Sequence, residues 1–161
     1  MRSVIQRVKS ASVDVDGSRV SSIGPGLLIL LGVRKGDTSV DLEWMADKVL
    51  NLRIFDDATG TMNLSVMDTA GEILVVSQFT LLADSRKGRR PSYIDAAPPD
   101  EAKARYEAFC DRLAQSGRTI RRGVFQAMMD VALVNDGPVT ILLDSEERLL
   151  RRDGQRSHSS Q

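Results

Sequence analysis

Apolar and polar positions alternate along this chain in three rhythms, and each predicts a different element. Ser12-Val13-Asp14-Val15-Asp16-Gly17 alternates strictly and ends in Asp-Gly, and Arg19-Val20-Ser21-Ser22-Ile23 follows it, which predicts a hairpin. Residues 1–8, with Val4 and Val8 apolar, predict a strand before it. Leu27-Leu28-Ile29-Leu30-Leu31-Gly32-Val33 and Glu72-Ile73-Leu74-Val75-Val76 are short unbroken apolar runs, the first preceded by the turn Gly24-Pro25-Gly26. Their brevity and flanking glycines predict buried strands rather than helices. The third rhythm has a period near 3.6. It puts Leu42, Met45, Ala46 and Val49 on one face of a helix opened by a Thr38/Asp41 capping box, with Trp44 covering a flank of the sheet. A second helix starts at Pro98-Pro99-Asp100, buries Ala102, Tyr106, Phe109, Cys110 and Leu113, carries a Glu101/Arg105 pair and stops at Ser116-Gly117. Brief strands are expected at 52–55, 63–65 and 119–125.

This order predicts an α+β fold: a strongly curved, barrel-like antiparallel/mixed sheet with two flanking helices, forming a single domain over residues 1–145. Residues 146–161 read as a polar C-terminal tail, expected to be disordered.

Composition removes several kinds of chemistry. The chain has 161 residues, of which 42% are hydrophobic, enough for one domain with a core that needs no disulfide or metal. With 22 basic and 22 acidic side chains the formal charge is zero, so any nucleic-acid binding has to come from a local patch. The single cysteine, Cys110, cannot close an internal disulfide and reads as an inert core thiol. Neither a leader pattern nor an apolar stretch of membrane length is expected, which points to a cytoplasmic setting without a membrane partner. The only histidine, His158, falls in the tail. Ser–His or Cys–His catalysis inside the domain is therefore not expected, nor is a metal or another cofactor.

Two stretches carry candidate chemistry. Val134-Asn135-Asp136-Gly137-Pro138-Val139-Thr140 lies between two β-branched runs, and Asp-Gly there reads first as a tight hairpin turn. The Gly-Pro step gives it a second reading as a functional backbone feature, because proline fixes φ and tolerates a cis bond. Ser77-Gln78-Phe79-Thr80-Leu81 arrives where a core strand stops. Thr80 offers a hydroxyl, Gln78 an amide, the backbone N–H groups an oxyanion hole, and Phe79 either a stacking face or a core plug. The basic loop Arg86-Lys87-Gly88-Arg89-Arg90-Pro91 reads as a solvated face or as a phosphate-binding patch.

Ser77-Gln78-Phe79-Thr80-Leu81 and Asn135-Asp136-Gly137-Pro138-Val139-Thr140 together resemble the two signature motifs of the D-aminoacyl-tRNA deacylases, in order and separation. The resemblance extends to Gln6-Arg7-Val8, Gly24-Pro25-Gly26-Leu27, Asn51-Leu52-Arg53-Ile54-Phe55, Met62-Asn63-Leu64-Ser65 and the basic loop, and leaves out only the segment after Ser145. It implies a homodimer with active sites at the subunit interface and aminoacyl-tRNA as substrate, with no DNA partner. Gly137 and a cis Pro138 of one subunit would exclude L side chains from a pocket of Ser77, Gln78, Phe79 and Thr80 in the other, and glycine would leak through. Arg7 would brace the Gly-Pro step beside Asn135, while Phe125 and Met129 would line the pocket. Beside the resemblance, the compact cluster Arg86, Lys87, Arg89 and Arg90 is a candidate for acceptor-stem phosphates, because such clusters give sequence-independent affinity. The ester would be hydrolysed with little side-chain chemistry, helped by the 2′-hydroxyl of the terminal adenosine, with Thr80 as a hydrogen-bonding group. Two other readings keep the fold: a non-catalytic domain that holds charged tRNA, and a relative that removes L-alanine from mischarged tRNA.

Overall fold

The computed structural model describes residues 1–153. The expected α+β domain is present, with a sheet curled nearly into a barrel. The curl originates in β1 (Arg2–Val15), which is long enough to serve two neighbours. Its first half pairs antiparallel with β3 (Gly26–Gly32) and its second half with β2 (Ser18–Ile23). The sheet continues through parallel pairs from β3 to β6 (Glu72–Ser77) and from β6 to β7 (Ile120–Arg122). On the other side of β1 lies β8 (Asp130–Asp144), an edge strand. A separate two-stranded ladder joins β4 (Phe55–Asp56) to β5 (Met62–Leu64).

The unbroken apolar runs make sense in this arrangement, because each feeds two cores. Leu27, Ile29 and Leu31 of β3, with Ile73 and Val75 of β6, face the helices. Leu28, Leu74 and Val76 point the other way and join Val8, Ala11, Val13 and Ile23 inside the curl. Strands buried on both faces lose the alternating signature. On the helix side α1 (Ser39–Asn51) buries Leu42, Met45, Ala46 and Val49, and the Thr38 N–H donates to Asp41 Oδ2 at 2.9 Å as the capping box requires. Trp44 packs against this core. α2 (Pro99–Ala114) buries Tyr106, Phe109, Cys110 and Leu113, and the Tyr106 hydroxyl donates to the Val75 carbonyl at 2.8 Å, tying the helix to β6. Burial pushes the Cys110 thiol up to about 11, which keeps it in its unreactive form.

Two expectations are corrected. Residues 131–143 are not a hairpin; they belong to one continuous strand, β8. Gln6 pairs with Thr140 and Val8 with Asn135, so residues 136–139 stand opposite Arg7 alone and are extruded as a bulge. The chain continues in its original direction because both flanking runs pair with the same strand, β1. The polar segment after Ser145 also begins with structure: Glu147–Asp153 is a third helix, α3. Arg148 Nε donates to Asp41 Oδ1 at 3.0 Å, and Glu146 meets Arg34 at 3.0 Å, so charge pairing holds it where apolar burial does not. The rest of the expected tail, with His158, lies outside the described residues.

Candidate active site

β6 ends at Ser77, which pairs with Leu31, and the chain then turns into a one-turn 3-10 helix, Phe79–Leu82. The Gln78 N–H donates to the Leu31 carbonyl at 2.7 Å, Leu81 N–H to Gln78 O at 3.2 Å and Ala83 N–H to Thr80 O at 3.1 Å. The buried Leu82 anchors the turn, while the amide of Gln78 donates to the Thr80 hydroxyl. At the start of so short a helix the N–H groups of Phe79 and Thr80 have no partner within it. The corner therefore offers backbone donors, a hydroxyl and an amide, none of which titrates near neutral pH.

Phe79 is 55% exposed and meets Tyr93 edge to face, with ring centroids 5.1 Å apart. The far end of the turn is held by Arg2, whose Nη1 donates to the Leu81 carbonyl at 2.9 Å while its Nε donates to Asp144 Oδ2 at 2.9 Å. Arg34 grips the same carboxylate at 3.0 and 3.2 Å. Burial alone would raise the Asp144 pKa, but Arg34, the Glu146 N–H and Arg2 outweigh it and lower the group to about 2. An open polar cleft of about 570 Å³ runs past Arg2, Arg34, Leu82, Asp84 and Arg86.

Phe125 and Met129 come from the connection between β7 and β8. The Gly123 N–H donates to Val75 O at 2.9 Å, which brings the start of this connection beside the residues just before Ser77. Phe125 packs on Tyr106 with centroids 5.9 Å apart, and Met129 packs against the inner core.

The second motif is built differently. Arg7 is only 7% exposed, yet its guanidinium donates to three acceptors: Asp136 O at 3.1 Å, Ile54 O at 2.7 Å and Asp56 Oδ1 at 3.3 Å. Asn135 spans the bulge, accepting from the Val139 N–H at 2.8 Å and donating to Gln6 and Thr140. At the crest the Gly137–Pro138 bond is cis and Gly137 has φ +127°. A Cβ there would lie 3.0 Å from Arg7 Nη2 and 2.9 Å from Val139 Cγ2, so glycine is the residue that fits.

Within one chain the two motifs do not meet. Ser77 aligns through Leu31 and Ser3 with Leu143, whereas the bulge faces Arg7, four residues further along β1. That offset is about 13 Å along the strands. In the basic loop, Asp84 and Ser92 close the ends with backbone bonds of 2.8 and 2.9 Å. Arg86 folds back onto Asp84 at 2.7 Å and holds that carboxyl down at about 2, while Lys87, Arg89 and Arg90 face solvent. Sequence reasoning missed Tyr93 and Arg2. An aromatic just behind a Pro-punctuated basic run was the available signal for Tyr93, but nothing marked Arg2.

The fold is that of the aminoacyl-tRNA deacylase class: the family model described as D-Tyr-tRNA(Tyr) deacylase matches residues 4–144, and the chain belongs to that family. It is a hydrolase with D-aminoacyl-tRNA deacylase activity, as its similarity to curated relatives supports. It is 61% identical over 145 residues to the D-aminoacyl-tRNA deacylase of Myxococcus xanthus (strain DK1622), covering 90% of this chain and 95% of that one. It is 60% identical over 147 residues to that of Thermomicrobium roseum (strain ATCC 27502 / DSM 5159 / P-2), covering 91% and 96%. Among solved structures, the c-Myc DNA Unwinding Element Binding Protein superposes with a TM-score of 0.86 at 46% identity, covering 89% of this chain and 98% of that chain. A probable eukaryotic D-amino acid tRNA deacylase superposes at 0.74 with 18% identity over the same shares, a likeness of fold.

Proposed function

We propose that the corner at residues 77–80 holds the aminoacyl ester of a charged tRNA and that the Gly137–Pro138 crest of a second copy completes the pocket. The backbone N–H groups of Phe79 and Thr80 stabilise the oxyanion as water attacks the ester carbonyl. Thr80, tethered by Gln78, orients the substrate rather than attacking it, and the 2′-hydroxyl of the terminal adenosine assists. No imidazole is needed because an aminoacyl ester is already activated. The crest selects handedness by exclusion. A rigid backbone wall fills the space that an L side chain would require and leaves a D side chain free, so glycine, with no side chain to exclude, is also released. Phe125 and Met129 border the pocket, and Lys87, Arg89 and Arg90 attract acceptor-stem phosphates. The setting is cytoplasmic, and the role is removal of wrongly charged amino acids.

One observation carries this reading: a glycine crest braced by a nearly buried arginine projects from an edge strand, yet is offset along the strands from its own chain's corner. Such bracing serves a purpose if a second copy supplies the corner. Leu133, Val134 and Leu142, exposed on the same strand, give that copy an apolar surface to cover.

Purified protein should release D-tyrosine from D-Tyr-tRNA rapidly and spare the matched L ester. Binding of charged tRNA without turnover of either ester would favour a non-catalytic holder. Preferential release of L-alanine from mischarged tRNA would place the chain with the L-specific relative.

A further inference from the structure

Five of the seven aromatic side chains are accounted for by the core: Tyr106 and Phe109 lie within it, and Trp44, Phe55 and Phe125 pack against it. The other two, Phe79 and Tyr93, meet each other at the surface, 55% and 39% exposed. Two adjoining exposed rings form a small apolar patch of the kind that serves as a contact surface. Both sit on fixed backbone. Phe79 belongs to the anchored 3-10 turn. Tyr93 lies between two ties: Ser92 on Asp84, and the Asp95 carbonyl, which accepts from Lys35 N–H at 2.9 Å. At 68° between planes, one ring turns its edge to the other, and both side chains keep a substantial exposed surface.

The surroundings say what would cover them. Lys87, Arg89 and Arg90, all exposed, occupy the loop that ends one residue before Tyr93, and the loop's nearest acid, Asp84, is already taken by Arg86. Rigid aromatic faces beside free cations are the arrangement that binds single-stranded nucleic acid, with bases on the rings and phosphates on the cations. Three exposed cations beside exposed rings favour a partner that combines flat apolar faces with regularly spaced negative charge. We propose that Phe79 and Tyr93 form one stacking platform for the unpaired nucleotides of an RNA 3′ end, with Tyr93 taking a base upstream of the one at the corner. This rests on the proposed substrate and deepens it: the enzyme grips the single-stranded tail as well as the esterified terminus.

The test uses uncharged acceptor-stem minihelices, one with its single-stranded 3′ tail and one blunt, titrated by fluorescence anisotropy. Wild-type protein should prefer the tailed RNA. Tyr93→Ala should weaken tailed binding about tenfold and blunt binding little, while Tyr93→Phe, which keeps the ring, should restore it. Equal loss on both RNAs, or no loss on either, overturns the platform. A change in particle mass for Tyr93→Ala would make Tyr93 an interface residue and overturn it too. Because no turnover is required, failure of the D-ester assay with tail preference intact would sink the hydrolytic reading and leave the platform standing.

Discussion

The corner at residues 77–82 and the bulge at residues 136–139 interrupt the same sheet, but they are held in opposite ways. The corner rests on backbone bonds, a buried leucine and a half-exposed arginine at its far end, and its functional groups point at one another or at solvent. The bulge carries almost no functional side chain, yet a nearly buried guanidinium and a spanning asparagine fix it from beneath. An open arrangement suits groups that must accept and release a ligand. A braced one suits a wall whose value lies in not yielding. Discrimination between mirror-image substrates depends on small displacements, so on the proposed reading the stiffer construction falls on the side that would exclude.

If that contrast is right, damage at the bulge should be severe. Arg7→Ala strands the Ile54 and Asp136 carbonyls and should cost about 2–4 kcal/mol in chemical denaturation, with D/L discrimination falling alongside. Arg7→Lys cannot restore a three-acceptor fork and should recover only part of this. Equal stability of wild type and Arg7→Ala would break the comparison. Gly137→Ala adds a Cβ against Arg7 and Val139 at φ +127°, for a loss of about 1–3 kcal/mol and most of the selectivity, readable as a fall in thermal midpoint and in the D/L rate ratio. The smallest effect belongs to the corner. Asp144 titrates at about 2 in the folded chain against about 3.9 unfolded, so its stabilisation is fully present above about pH 4 and is lost as pH falls through about 2. Screening by solvent leaves about 1 kcal/mol. The stability gap between wild type and Asp144→Asn should narrow over that acid range; a gap of constant size would remove the carboxylate's charge from the account.

Elements whose signal is local were legible in the sequence. The 3.6 period of Leu42, Met45, Ala46 and Val49 and the Thr38/Asp41 box marked α1 without tertiary information, and apolar brevity marked β3 and β6. The bulge was misread because Asp-Gly between β-branched runs is the same local signal whether the chain reverses or continues. Only the pairing of both runs with β1 decides, and that pairing is long-range. The helix α3 was missed for a related reason: its tie to Asp41 joins residues 107 positions apart and uses charge, which leaves no apolar period to read. Candidate residues of the corner and crest were legible as motifs, but the separation of those motifs within one chain emerged only from strand register.

The edge strand has a consequence for solubility. A flat strand of 15 residues that exposes Leu133, Val134 and Leu142 would be a template on which further chains could add without limit. The extruded crest divides that edge into two short segments, residues 130–135 and 140–144, neither much longer than a single brief strand. An incoming chain cannot run straight across it, so open-ended stacking is interrupted at the midpoint. The same four residues that would discriminate between enantiomers would thus also interrupt edge-to-edge stacking of the chain.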